Sequence, residues 1–523
     1  MSNNPTHKKE WQDLEKLSKT PLNLNDLFAK NPSRFSEFSI SLEGLFLDYS
    51  KQKITQPILQ NLIDLAKASD VEEKRDAMFA GGIINHTEQR AVLHTALRVP
   101  KDSIIEVDRK NIVPEIQETL SRIEKLSNTL RTQKYLGATG KVITDVVSIG
   151  IGGSDLGPRM VYEALNNDKQ PIALHFVSNI DADDIEKTLQ RCNPETTLFI
   201  VISKSFGTQE TLTNALTARA WVQNFIGKNK DISNHFIAVS ANINAAQKFG
   251  IKTDNIYPLW DWVNGRFSLW SAVGLPIAIG LGFDEFSSLL DGARAMDIHF
   301  QTASLKKNMP VLMAMIGIWN RNFLHSANLA VLPYSQNLSL FPSYLQQLDM
   351  ESNGKSVDNA GQEIKDYMTA PVLFGEAGTN GQHSFYQLLH QGSETIPCDF
   401  IGVIEPNHTH KNHHDMLLGH LLAQGQAMMK GKASIQNAHK NFTGNKPCTT
   451  ILLDKLDAYH LGMLIALYEH KIMVQGVIWN INSFDQFGVE LGKEMAANIE
   501  SHNFDNLDPS TKALYSLIHK QQK

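Results

Sequence analysis

A few short segments of the chain combine residue types that could do chemistry. The first is Ile149-Gly150-Ile151-Gly152-Gly153-Ser154-Asp155-Leu156-Gly157-Pro158. Its glycines let the main chain approach an anion closely, and a helix opening near Pro158 would present free N–H groups to it. The spacing is GxGGxxxG, not the GxGxxG of dinucleotide sites, and Asn179–Ala182 supplies no strand-end acid in the usual context. A tight strand–helix turn with no ligand is the alternative. The second segment is Ser203-Lys204-Ser205-Phe206-Gly207-Thr208-Gln209-Glu210-Thr211. A single hydroxyl at a strand–helix junction would be read as a cap. Several together, beside a glycine and free amides, make a cradle for a phosphate monoester. Without a P-loop lysine or a metal motif, they suit a bound sugar phosphate rather than a transferred phosphoryl group.

Four further segments matter only in company. Asp261-Trp262-Val263-Asn264-Gly265-Arg266-Phe267-Ser268-Leu269-Trp270 sets an arginine between tryptophans, which by itself reads as a cation–π or surface pair. Gln346-Gln347-Leu348-Asp349-Met350-Glu351-Ser352-Asn353-Gly354-Lys355 ends a helical stretch on Glu351. Gly375-Glu376-Ala377-Gly378-Thr379-Asn380-Gly381-Gln382-His383 brings one of 19 histidines to a helix start. Phe484-Asp485-Gln486-Phe487-Gly488-Val489-Glu490-Leu491-Gly492-Lys493 places a lysine on a late amphipathic helix, where solvent is the default surrounding.

The elements that must position these residues follow from apolar periodicity. Residues 1–104 read mainly as helix, with spacings of three and four in Trp11–Leu17 and Ile58–Lys67. From about residue 140 short apolar strands alternate with helices. Val146–Ile151, Ala173–Val177, Leu198–Ser203 and Phe236–Ser240 are the predicted strands, with helices from about Pro158 and Thr208. The pattern returns after residue 310. There Asn328–Pro333, Val372–Phe374 and Asp399–Val403 read as strands, and Val311–Asn320, Tyr344–Glu351 and His383–His390 as helices. Such alternation predicts parallel sheets covered on both faces, with ligands at the carboxyl ends of the strands.

With 523 residues the chain must form more than one packing unit. A net charge of −6 argues against a nucleic-acid surface but leaves room for one locally positive anion pocket. The three cysteines, Cys192, Cys398 and Cys448, show no metal-ligand spacing and suggest a reducing compartment. The most apolar stretches, around Leu269–Phe283 and Val311–Trp319, are too short or interrupted to span a bilayer. No apolar signal core opens the chain, so the expected location is cytoplasmic, with no membrane or nucleic-acid partner. His86, His408, His410, His413 and His414 are read as a surface or loop cluster rather than metal ligands.

Taken in order, and with Asn85-His86-Thr87-Glu88-Gln89-Arg90-Ala91-Val92-Leu93-His94, these segments resemble the phosphoglucose isomerase family from about residue 80 to 493. The resemblance implies an α/β fold of two sugar-isomerase (SIS-type) α/β/α sandwich domains. It divides the chain into an N-terminal helical region (1–104), a first domain (105–280), a second (281–490) and a C-terminal helical arm (491–523). It also implies a homodimer with active sites near the subunit interface. The activity implied is interconversion of glucose 6-phosphate and fructose 6-phosphate in glycolysis and gluconeogenesis, without metal or cofactor. By the same resemblance Gly153, Ser154, Ser203, Ser205 and Thr208, with the Lys204 amide, hold the phosphate. Glu351 is the general base, Arg266 faces the enediolate, His383 opens the sugar ring, and Lys493 serves the ring oxygen. Gln347 and Gln486 would contact sugar hydroxyls, and Glu210 would orient His383. The chain departs from the family at Asn264, Ser205, Gly207 and Leu348. Asn264 stands where Gly is usual and is expected to substitute through its tolerance of positive φ. A non-catalytic sugar-phosphate-binding regulator on the same fold is the main competing reading, and a nicotinamide enzyme using Gly150–Gly157 is another.

Overall fold

The computed structural model of the chain describes residues 4–167, 170–504 and 507–520. The earliest strands are β1 (Ser39–Leu42) and β2 (Leu45–Asp48), joined by a tight turn with Glu43 at φ 42° and Gly44 at φ 85°. Positive φ at both positions matches the twist of an antiparallel hairpin. A two-residue ribbon, β3 (Glu106–Val107) and β4 (Lys110–Asn111), precedes the helix Val113–Arg131.

The first large sheet contains β5 (Asp145–Ile149), β6 (Ala173–Val177), β7 (Thr197–Ile202), β8 (Phe236–Ser240) and β9 (Ile256–Pro258). All five run parallel in the order β6-β5-β7-β8-β9. Every residue of β7 and β8 is buried, as continuous apolar runs in a sheet covered on both faces should be. Successive connections leave β5 in opposite directions, first to β6 and then across to β7. That reversal opens a crevice where the loops after β5 and β7 emerge.

The second sheet contains β10 (Asn328–Tyr334), β11 (Val372–Gly375), β12 (Cys398–Glu405) and β13 (Cys448–Lys455). Its order is β1-β2-β13-β12-β10-β11, parallel except for the hairpin, which pairs antiparallel to β13. The two expected parallel sheets are therefore present, and the second recruits strands from the N-terminal region read mainly as helix. The sequence reading also passed over β9 and β13. Cys398 and Cys448 face each other in register across β12 and β13, both buried as free thiols.

The helix Ala458–Ile478 is buried along nearly its whole length. Among the described residues it is the one helix long and apolar enough by composition to cross a membrane, yet 94% of its apolar window lies inside the protein. It displaces Leu269–Phe283 and Val311–Trp319 as the most apolar long element, and it packs against the helices Phe283–Thr302 and Met309–Ile318.

Two compact units divide the chain, Met1–Ser483 and Phe484–Lys523. Both sheets belong to the first. The second begins at Phe484, whereas the sequence reading starts its arm at residue 491, and its described residues include the 3-10 turn Phe487–Val489 and the helices Glu490–Glu500 and Pro509–Lys520.

Candidate active site

The site grows from the ends of β5 and β7. Ile149 and Val201 lie side by side, so the two chemically rich loops start as neighbours. After β5 the chain makes a 3-10 turn over Gly152–Ser154 and enters the helix Leu156–Leu165. Gly152 has φ 60°. Gly153 has a different reason to be glycine: a Cβ there would stand 2.1 Å from the carbonyl oxygen of Gly265 and 2.9 Å from the amide nitrogen of Arg266. The glycine-rich loop thus lies backbone to backbone on the turn that carries Arg266.

After β7, Ser203 is buried and its Oγ lies 3.1 Å from the Thr208 hydroxyl. Thr208 is the N-cap of the helix Gln209–Ile226, but its side chain makes no capping hydrogen bond. The capping explanation for that hydroxyl therefore fails. Ser205 is exposed, and its Oγ accepts the Gly207 amide at 3.2 Å. The Lys204 and Ser205 amides donate to no acceptor among the described residues. Main-chain donors and hydroxyls thus remain available for an anion.

Positive charge stands at the rim. The Lys204 ammonium lies 3.4 Å from the Asp261 carboxylate and donates to the Asp261 and Val263 carbonyls, both at 3.3 Å. Burial lowers its pKa, and Asp261 opposes that shift. Arg90 lies 4.0 Å from the same carboxylate. A chain of net charge −6 thus keeps two cations beside the hydroxyl loop.

Arg266 sits in a 3-10 turn over Gly265–Trp270 and is 2% exposed. Its Nε donates to Ser352 Oγ and its Nη2 to the Ser483 carbonyl, both at 2.6 Å. Those bonds aim Nη1 toward Glu351 Oε2, 3.7 Å away. That carboxylate oxygen is buried and accepts no hydrogen bond among the described residues. Glu351 ends a π-helical turn, Gln346–Glu351, which continues the helix Phe341–Leu345. The same turn brings the Gln347 carboxamide within 3.1 Å of where a Cβ on Gly152 would stand. The fold therefore gathers Gln347, Arg266 and Glu351 against the glycine-rich loop at Gly152 and Gly153, with Ser203–Thr208 on the adjoining strand end.

His383 is joined to this group by no hydrogen bond or ion pair among the described residues. It ends a 3-10 turn, Asn380–His383, and is exposed. Glu210 lies half-buried in the first turn of Gln209–Ile226 and makes no hydrogen bond to His383 among the described residues. Gln486 and Lys493 are exposed in the C-terminal unit, Lys493 on the helix Glu490–Glu500.

Two of the four departures take on local meaning. Asn264 is extended, with φ −80°, so no left-handed geometry is demanded there, contrary to the expectation. Leu348 is fully buried beneath the π turn. Ser352 and the Ser483 carbonyl, both fixing Arg266, carried no sequence signal beyond proximity to Glu351 and Phe484.

A possible ligand set lies elsewhere: oxygen, nitrogen and sulfur atoms of Asp145, His175 and Cys192 fall within 4.8 Å of one another. Asp145 starts β5, at the opposite end of that strand from the glycine-rich loop. His175 Nε2 lies 3.1 Å from the Asp145 carboxylate, and hydrogen bonds to Asp145 and then Cys192 raise its pKa to about 9. The trio reads as a protonated histidine paired with a carboxylate. The histidines around 408–414 cluster at the start of the helix Lys411–Lys430, with His414 Nε2 2.8 Å from the Ile404 carbonyl oxygen.

A hydroxyl-rich loop beside a glycine-rich one, an arginine–carboxylate pair and two parallel α/β sheets define a sugar-phosphate isomerase type of site. Residues 48–515 match the sequence profile described as phosphoglucose isomerase, and the chain belongs to that family. A relative from Methylococcus capsulatus, named glucose-6-phosphate isomerase, is 50% identical over 94% of this chain and 93% of its own length. Glucose-6-phosphate isomerase 1 of Chromohalobacter salexigens is 50% identical over 98% of this chain and 94% of its own. The crystal structure of a glucose-6-phosphate isomerase from Chlamydia trachomatis superposes with a TM-score of 0.88 at 33% identity, covering 99% of this chain and 100% of that one.

Proposed function

We propose that the protein interconverts glucose 6-phosphate and fructose 6-phosphate through a cis-enediolate, as an enzyme of glycolysis and gluconeogenesis. The observation that carries this reading is the buried Glu351 oxygen, which accepts no hydrogen bond among the described residues and lies 3.7 Å from the Arg266 guanidinium. A carboxylate held beside a fixed cation, without being spent on a hydrogen bond to it, is poised to exchange a proton. The relatives' names support the choice of substrate.

In this mechanism the phosphate docks on Ser154, Ser203, Ser205 and Thr208 and on the Lys204 amide, against the main chain at Gly153. Glu351 takes the proton from carbon 2 and returns it to carbon 1. Arg266 stabilises the oxyanion that develops between those steps, and its charge is permanent. His383 opens the ring as acid/base, helped by Lys493 at the ring oxygen and oriented by Glu210. Gln347 and Gln486 hold sugar hydroxyls. No metal or cofactor is assigned a step. The exposure of His383, together with its lack of a side-chain partner among the described residues, fits a site completed in a homodimer. Exposed Leu491, Leu514, Leu517 and Ile518 in the C-terminal unit fit a surface covered by a second copy. The proposed location is cytoplasmic, with sugar phosphates rather than nucleic acid or membrane as partners.

The test is conversion of glucose 6-phosphate in excess EDTA by wild type and Glu351→Gln. Loss of the base should lower kcat by about 10²–10⁴-fold while sugar-phosphate binding persists. Wild-type protein that binds the sugar phosphate but never converts it, even with metals restored, would leave a regulator instead.

A further inference from the structure

Glu351 does not stand on an ordinary helix. Its π turn, Gln346–Glu351, closes i→i+5 and holds one residue more than an α turn. Such a turn persists where its surroundings over-determine it. Two anchors do so, one on each side of Glu351. Two residues before it, Asp349 Oδ2 accepts from Lys471 Nζ at 3.0 Å, and both side chains are essentially inaccessible. Two residues after it, Asn353 Nδ2 donates to the Ile472 carbonyl at 2.9 Å. The Ser483 hydroxyl donates to Asn353 Oδ1 at 2.6 Å, and the Ser483 carbonyl receives Arg266. Lys471 and Ile472 are consecutive residues of the buried helix Ala458–Ile478. The base is therefore bracketed on a single turn of the core spine.

We infer that Lys471, acting through Asp349, is a positioning residue for the proton shuttle: the buried pair holds the π turn that sets the direction of the Glu351 carboxylate. A lysine buried in the middle of an apolar helix needs a reason. Stability is a weak one, because apolar residues of similar volume commonly serve a core as well as a buried ion pair does. Geometry is the better one. Were the turn to relax to α, residues beyond it would rotate by about 100°. Glu351 would then leave the Arg266 side of the crevice, while the phosphate cradle on the first sheet would stay untouched. Lys471 also attracts buried Asp399, which accepts the Tyr468 hydroxyl at 3.0 Å, so Asp399 keeps a partner if Lys471 changes.

This inference rests on Glu351 being the base, so Glu351→Gln is assayed in parallel. The decisive variant is Asp349→Leu with Lys471→Met, which leaves no unpaired charge at 349 or 471, keeps the branched shape at 349 and keeps the volume at 471; the melting temperature reports the bulk that leucine adds. Three quantities are read: kcat for glucose 6-phosphate, the Kd of glucitol 6-phosphate, which has no carbonyl to isomerise, and the melting temperature. A displaced base should lower kcat by about 100-fold, with the glucitol 6-phosphate Kd and the melting temperature close to wild type. A kcat loss smaller than about tenfold in folded protein overturns the inference, because a purely structural pair would show only in the melting temperature. Should the apolar pair not fold, Asp349→Asn reads the same quantities: a kcat loss of about tenfold at unchanged Kd is expected, and wild-type kcat overturns the inference. Full activity in Glu351→Gln would instead show that the base assignment has failed, whatever the pair does.

Discussion

Gly153→Ala tests whether the contact between the glycine-rich loop and the arginine turn sets the catalytic geometry. The added Cβ would stand 2.1 Å from the Gly265 carbonyl oxygen, 2.3 Å from its carbon and 2.9 Å from the Arg266 nitrogen. Real Cβ contacts with main chain are not that short, so the two backbones must separate by about 1 Å. Neither partner is a side chain able to swing aside. Overpacking of this kind costs about 1–3 kcal/mol of stability, which a chain of this size should survive. The catalytic effect should be larger in proportion. Arg266 moves with its turn and Ser154 with the loop, so the phosphate and the guanidinium lose their common frame. A misplacement of about 1 Å costs on the order of 100-fold in rate, close to 2.7 kcal/mol in the barrier. The assay is kcat/KM for glucose 6-phosphate in both directions, with the melting temperature as a check on folding. Gly265→Ala is the matched control, because a Cβ on Gly265 meets nothing within 4 Å. The two glycines face one another across one contact, yet only the first should be intolerant. If Gly153→Ala keeps kcat/KM within a few-fold of wild type, or if both variants lose it equally, the close approach does not set Arg266.

Thr208→Val keeps the shape and removes the hydroxyl. Loss of one hydrogen bond to a charged phosphate should cost about 1.5–3 kcal/mol, or roughly 10–100-fold in KM, while the helix Gln209–Ile226 loses no cap. A lowered melting temperature with unchanged KM would mean the hydroxyl serves the fold instead. Glu469 is fully buried, and burial raises its pKa from 4.5 to about 7 despite its pairing with Arg98 at 3.0 Å. A raised carboxyl pKa means the folded state holds the extra proton. The stability contributed is complete below about 4.5 and is lost as pH rises through about 7, at about 1.4 kcal/mol per pH unit between them. Melting temperatures from pH 5 to 8 should therefore fall less steeply for Glu469→Gln than for wild type, and parallel curves would refute the assignment.

The two loops were legible because their signals are local. Glycines, hydroxyls and the apolar runs of β5 and β7 are contiguous, and the strand–helix alternation by itself implies a crevice at the strand ends. The site also needed Ser352, Ser483 and Lys471, whose roles arise from residues more than eighty positions away in sequence. The helix Ala458–Ile478 was overlooked for a related reason. A helix buried on every side has no polar face to reveal its period, and the Glu469-His470-Lys471 triplet disguises its apolar character. The helical reading of Tyr344–Glu351 was correct in kind, but an extra residue in a turn leaves no imprint on composition. Pairing of Glu210 with His383 was expected from the resemblance, and within one chain no described hydrogen bond joins them.

The hairpin β1–β2 has a consequence for synthesis. Asp48 pairs with Thr450 and Leu45 with Leu453, so the strands that cover β13 leave the ribosome about 400 residues before their template exists. At about 5–20 residues per second the wait is roughly 20–80 s. About halfway through it, once β9 has been made, the first sheet has all its strands and can form, while the second still lacks β13 and the buried helix that follows. The nascent chain must keep a hydrophobic hairpin out of trouble over that interval, and translation speed across the last third of the message then becomes a determinant of yield.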